Sequence, residues 1–230
     1  MCRLSARRSS IELTEGLYRN QDAPPPLCNR PLHALNPPMA VLNFLGTDDR
    51  QTLTEGPVSL RAPRGSDYRA WSELRDRSRA FLQPWEPSWP ADDLSRPAFR
   101  RRLALYARDR DLGHGHAFFV LRANDGALVG GVNLRNVTRG VAQSGEIGYW
   151  VGEPYARRGY ISAGVRAVTR FAFNTLGLHR VEAACCTDNS ASAHLLAKVG
   201  FEQEGMARGY LKINGIWRDH LLFGMIGRND

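Results

Sequence analysis

Residues able to do chemistry gather in two stretches of the chain. In the first, Gly152-Glu153-Pro154-Tyr155 turns the backbone and Arg157-Arg158-Gly159-Tyr160-Ile161-Ser162 opens a segment whose apolar positions are Ile161, Val165, Val168, Phe171 and Ala172. That spacing predicts an amphipathic helix, and Gly177 is its natural stop. A glycine-containing turn at a helix start presents free N–H groups and the positive end of the helix dipole, which together bind phosphate oxygens. Arg157 and Arg158 add cationic reach. In the second stretch, Thr187-Asp188-Asn189-Ser190-Ala191-Ser192 precedes inward positions Leu195, Leu196 and Val199 and then Gly200-Phe201, so Asn189 reads as a helix N-cap. The four cysteines (Cys2, Cys28, Cys185, Cys186) have no CxxC spacing and no histidine cluster beside them, so no zinc site is expected. Adjacent Cys185 and Cys186 fall on opposite strand faces and are read as free thiols.

Elements must hold these stretches in place. Glu146-Ile147-Gly148-Tyr149-Trp150-Val151 alternates as a strand, with Ile147, Tyr149 and Val151 on one face and Glu146, Gly148 and Trp150 on the other. A second strand is expected over Arg180 to Cys186. Upstream, Thr54 to Arg61 fits a first strand, and Ser66 and Asp67 offer caps for a helix through Trp71 and Leu74. A short helix should precede Pro84, and Asp92 to Ala107 has helical spacing. Strands follow near His116 to Arg122 and Leu128 to Val137, joined by a turn at Asn124-Asp125-Gly126.

The order of strand, arginine-glycine loop, helix, strand, Asn-x-x-Ser helix and Gly-Phe resembles the GNAT superfamily of N-acetyltransferases. Leu211 to His220, with Asn214-Gly215 and Trp217, looks like the closing hairpin of the bacterial ribosomal-protein N-terminal-alanine acetyltransferases, as does Ser78 to Pro87 around Leu82 and Trp85. The resemblance runs from about Leu53 to the end. It implies an α/β (α+β) fold with a central mixed, mostly antiparallel, splayed sheet flanked by helices, and acetyl-CoA as co-substrate. It also implies that main chain at Tyr149, Trp150 and Val151 pairs with the pantetheine arm, that Arg157, Arg158, Gly159, Tyr160, Ile161 and Ser162 hold the pyrophosphate, and that Asn189 bonds near the thioester. Ala156 and Ile161 depart from the usual loop pattern, and Ile161 is expected to narrow the space beside the pyrophosphate.

Acetyl transfer needs an uncharged amine, a donor to the developing oxyanion and a proton donor for the departing thiolate. Glu146 is the first candidate base because it shares a strand face with Trp150 near the expected thioester. Ser192 is the candidate thiolate donor by resemblance. Asp219 and His220 stand as alternative bases and Tyr210 as an alternative donor; Trp85, Trp89 and Trp217 could line a peptide groove. The acceptor is expected to be the α-amino group of a protein such as a ribosomal protein. A small amine (aminoglycoside, polyamine or free amino acid) is the enzymatic alternative, and Glu86, Asp92 and Asp93 leave room for the acidic cleft that an aminoglycoside would favour. A non-catalytic acyl-CoA-binding protein is the alternative of another class.

Bulk properties fit this. The 230 residues carry a formal charge of +8, almost all of it arginine, since Lys198 and Lys212 are the only lysines. The charge is spread along the chain, which suits a phosphorylated co-substrate or an acidic partner and gives no ground for direct nucleic-acid recognition. Neither a long apolar run nor a secretory leader is present, so a cytoplasmic location without membrane attachment is expected. Residues 1–52, interrupted by Pro24, Pro25, Pro26, Pro31, Pro37 and Pro38, are expected to be a flexible tail ahead of a catalytic domain over 53–230, with Met39 a plausible alternative start. Oligomeric state is left at monomer or homodimer.

Overall fold

The computed structural model describes residues 52–227, so the expected tail and the Met39 start lie outside the described residues. An eight-stranded sheet runs in the order β1-β2-β3-β4-β5-β6-β8-β7. Its strands are β1 (Leu53–Glu55), β2 (Val58–Arg61), β3 (His116–Arg122), β4 (Leu128–Thr138), β5 (Ser144–Val151), β6 (Arg180–Cys186), β7 (Glu202–Ile213) and β8 (Ile216–Ile226). Every neighbouring pair is antiparallel except β5 with β6. The helices are α1 (Tyr68–Arg77), α2 (Arg79–Leu82), α3 (Arg96–Asp111), α4 (Tyr160–Asn174) and α5 (Ser190–Val199). The mixed, mostly antiparallel sheet flanked by helices is the architecture expected from the sequence.

Two expectations need correction. The Thr54 to Arg61 alternation is not one strand but a hairpin, because Gly56 takes φ +51° ahead of Pro57 and folds Glu55 back onto Val58. The helix read from Asp92 starts at Arg96. Ser95 caps it by accepting from Ala98 N–H at 3.2 Å, and Pro97 sits in the first turn, where its missing N–H costs nothing. Asp92 and Asp93 precede the helix and pair with Arg101 and Arg102 at 2.8 and 2.9 Å.

Sheet alternation divides the core in two. On one face Ile147, Tyr149 and Val151 pack with α4 residues Ile161, Val165, Val168 and Phe171 and with Leu196 of α5. On the other, Trp150 joins Trp71, Leu74, Phe99 and Phe119, which bring α1 and α3 against the sheet. Gly164 lets α4 lie close to the sheet: a Cβ there would meet Val120 and Val132 at 3.1 and 3.2 Å.

One long-range bond ties the helical side to the end of β5. Ser78, fully buried between α1 and α2, accepts from Glu153 N–H at 2.9 Å across 75 residues. Ser78→Ala leaves that N–H without its partner and is expected to cost about 1–3 kcal/mol, read as a lower urea midpoint with unchanged slope.

The α4 face also holds a histidine. His116 lies edge-on to Phe171 at 5.0 Å between centroids, and burial, with Arg110 and Arg139 as lesser causes, pushes its pKa from 6.5 to about 4. The folded state therefore favours the neutral ring. Its contribution to stability is complete above pH about 6.5 and is lost as pH falls toward 4, by about 3 kcal/mol in all. The expected result is that His116→Phe loses less stability than the wild type between pH 7 and 4 in denaturant titrations.

Candidate active site

The parallel rungs between β5 and β6 run Ser144↔Arg180, Gly145↔Val181 and Glu146↔Glu182, and there they stop. Beyond that rung β5 stays paired to β4 as far as Gly130↔Val151, and β6 stays paired to β8 as far as Cys186↔His220. The strands thus part in a wedge. Its sides are the β6-facing main-chain groups of Ile147 to Val151 and the β5-facing groups of Ala183 to Cys186. Buried main-chain donors and acceptors require partners, so a wedge of this kind suits a ligand that carries amides of its own.

The phosphate-type loop follows at the open end of β5. Gly152 N–H donates to Val129 O at 2.9 Å, a 3-10 turn spans Glu153–Tyr155, and α4 begins at Tyr160. Arg157 and Gly159 both have left-handed backbone, at φ +60° and +81°. Glycine adopts that conformation without strain, and no atom lies within 4 Å of a Cβ built at Gly159. The helical ladder starts with Ala163 N–H on Gly159 O at 3.0 Å, so the N–H groups of Tyr160, Ile161 and Ser162 project from the helix end. Arg157 and Arg158 are exposed beside them. Arg122 in β3 pairs with Asp125 at 2.5 Å, and its pKa is raised by that carboxylate and then by the Tyr160 phenol at the helix start.

Ile161 does not narrow this loop. Its side chain is buried in the core against Gly130, where a Cβ would meet Ile161 Cδ1 at 2.8 Å. A β-branched residue is accepted at that position because Gly130 provides the space.

At the narrow end of the wedge, Glu146 faces Glu182 across the last rung and accepts from Asn136 Nδ2 at 3.0 Å. Asn136 reaches it because β4 bulges between Arg135 and Thr138, with Asn136 at φ +49°. Glu182 is held by Arg180 at 2.8 Å. The charges of Glu146 and Glu182, after burial, raise the pKa of the Tyr210 phenol, which places Tyr210 with the two carboxylates. On the α5 side, Asn189 Oδ1 accepts from Ser192 N–H at 3.0 Å, the N-cap read from the sequence. Ser192 Oγ lies 2.7 Å from the Tyr149 phenol.

His220 is removed from the list of bases by its bonds. It is only 2% exposed, and Nδ1 lies 2.9 Å from the Arg218 carbonyl, which can only accept. The proton is therefore on Nδ1, and Nε2 faces Cys186 Sγ at 3.5 Å. Burial lowers the ring's pKa. Asp219 accepts Gly209 N–H at 2.7 Å on β7, within the hairpin.

Trp89 donates to Glu86 at 2.8 Å and covers Arg75 at 4.3 Å, Trp85 ends a 3-10 turn, and Trp217 is 64% exposed on β8. Glu86 is clamped by buried Arg75 at 3.1 and 2.5 Å, so with Asp92 and Asp93 also paired, the acidic cleft considered for an aminoglycoside has no free carboxylate among these three. Glu86 O accepts Asn214 N–H at 2.9 Å, which seats the closing hairpin on the 86–89 segment. Among the described residues no group of three or more His, Cys, Asp or Glu could hold a metal ion.

Comparison with known proteins gives this architecture a family. The family of acetyltransferase (GNAT) domains matches residues 58–202. The chain belongs to that family. It is 32% identical over 158 residues to the Escherichia coli [ribosomal protein uS5]-alanine N-acetyltransferase, covering 68% of this chain and 81% of the relative. Among solved structures, the ribosomal-protein-S5-alanine acetyltransferase from Vibrio fischeri aligns with a TM-score of 0.72 at 29% identity, over 78% of this chain and 98% of the other. Mycobacterium smegmatis RimJ in complex with CoA-disulfide aligns with a TM-score of 0.71 at 32% identity, over 76% and 86%. The chain is an acetyltransferase by family.

Sequence reasoning missed Asn136, Glu182 and Ser78 as partners of the site, and the side-chain role of Tyr149. Asn136 alone left a local signal, as an asparagine beside an alternation fault in a strand.

Gly152 is the tightest point of the loop's approach, since a Cβ there would fall on the buried Leu74 side chain. Gly152→Ala is expected to destabilise the fold by about 1–3 kcal/mol through overpacking. The measurement is a urea titration against the wild type.

Proposed function

We propose that this chain transfers acetyl from acetyl-CoA to the N-terminal α-amino group of a protein, with a ribosomal protein as the acceptor class. The observation that carries the co-substrate is the wedge between β5 and β6 with the α4 N-terminus at its mouth. Main chain at Tyr149, Trp150 and Val151 suits the amides of a pantetheine arm, and the free N–H groups of Gly159 to Ser162, with Arg157 and Arg158, suit its pyrophosphate. The RimJ structure with CoA-disulfide supports this reading.

The acceptor reading draws on the E. coli relative, named for the alanine it acetylates on uS5, and on the Asn214 to His220 hairpin seated against Glu86. Chemistry favours it as well. An α-amino group titrates near ~8 and a lysine near ~10.4, so at neutral pH roughly a hundredfold more of the terminal amine is neutral. A carboxylate acting directly or through water then suffices as base. Glu146, at the narrow end of the wedge and oriented by Asn136, takes that role, and Ser192 faces the departing sulfur.

The test is a thiol-release assay with acetyl-CoA against N-terminal peptides, internal-lysine peptides, aminoglycosides and polyamines. Peptides with a free N-terminal alanine are expected to be fastest; faster turnover of any small amine overturns the acceptor reading. Glu146→Gln is expected to lower kcat by about a hundredfold with acetyl-CoA affinity unchanged. Unaltered kcat across neutral pH removes Glu146 as base.

A further inference from the structure

Tyr149 is named above for its backbone, yet its side chain makes the shortest contact between β5 and α5. The phenol oxygen lies 2.7 Å from Ser192 Oγ and 3.4 Å from the Ser192 carbonyl. Its single hydrogen has these two acceptors, and the nearer one forms the better bond. Either hydroxyl can donate in the 2.7 Å contact; with Tyr149 as the donor, the serine's own hydrogen is left to point elsewhere.

Where it points is indicated by Cys185. This buried thiol sits on β6, across the wedge from Tyr149, and the Ser192 hydroxyl opposes the upward push that burial gives its pKa. Ser192 and a thiol thus share this side of the wedge. Burial raises the pKa of the Tyr149 phenol, so it remains a neutral donor throughout the working range of a cytosolic enzyme.

We propose that Tyr149 is a positioning residue for the leaving group: by donating to Ser192 Oγ it aims the Ser192 hydroxyl hydrogen at the sulfur of CoA. The inference rests on the reading that acetyl-CoA lies in the wedge. During transfer the N–C bond forms and the C–S bond breaks. The extra amine proton passes to Glu146, and the sulfur leaves with the electron pair. Ser192 stabilises that thiolate by its hydrogen bond, and solvent protonates the thiol on release.

The test needs no acceptor. CoA is bound to the full chain and its thiol is titrated by thiolate absorbance in the ultraviolet, for the wild type, Tyr149→Phe, Ser192→Ala and the double variant. Tyr149→Phe keeps the ring and its packing. Each single variant is expected to weaken the acid dissociation constant of the bound thiol by about tenfold, the worth of one oriented hydrogen bond. The double variant should lose no more than either alone, because both act on one donor. An unchanged thiol in Tyr149→Phe with a weakened one in Ser192→Ala overturns the inference and spares Ser192 as donor, as does a double loss equal to the product of the singles. No effect from Ser192→Ala sinks the donor assignment with it. CoA that fails to bind the wild type overturns the co-substrate reading itself.

Discussion

The Glu146↔Glu182 rung is where the molecule's two halves part company, and the site follows from that separation. A parallel pair that continued to Val151 and Cys186 would satisfy its own backbone and leave no wedge. Here the β4–β5 half is held by Trp71, Leu74 and Phe99 on one face and by α4 on the other, while the β6–β8–β7 half carries α5. The two halves share the core beneath α4 and α5 but not the strand pairing. The main-chain groups of Ile147 to Val151 and of Ala183 to Cys186 are left facing the wedge, and under the proposed function they are the groups that would meet an amide-bearing arm.

That same alternation assigns the two sides of the wedge to different work. The Ile147, Tyr149 and Val151 face meets α4 and α5, so its polar neighbours are Ser192, Asn189 and the Cys185 thiol. The opposite face carries Glu146, Glu182 and Tyr210. The Ser192 hydroxyl and the Glu146 carboxylate thus lie on opposite sides of one strand pair, separated by the pleat of β5. Neither needs a large pKa change to serve, because terminal amines titrate near neutrality and a thiolate is a good leaving group.

The elements were largely legible because punctuation and periodicity agree in the second half of the chain. Gly159 before Ile161, Val165 and Val168, and Asn189 before Leu196, mark helices with their starts; Glu146 to Val151 marks a strand with both its faces. Legibility failed where a local signal was ambiguous: alternation from Thr54 to Arg61 runs through Gly56-Pro57, and only a left-handed φ reveals the hairpin. It failed entirely for contacts between distant residues. Ser78 with Glu153, Tyr149 with Ser192 and Glu146 with Glu182 depend on strand register and helix docking, which no window of sequence contains. Ile161 is instructive in the other direction, since a residue that looked obstructive beside the loop proves to be core once Gly130 is seen opposite it.

The central claim is that CoA completes the backbone of the wedge between β5 and β6. Amide hydrogen exchange of the full chain with and without CoA tests it directly. Slowed exchange at Tyr149 to Val151 and at Gly159 to Ser162, with the β7–β8 hairpin unaffected, is the result the geometry predicts. CoA binding that leaves the β5 amides as fast as in the free protein would contradict it.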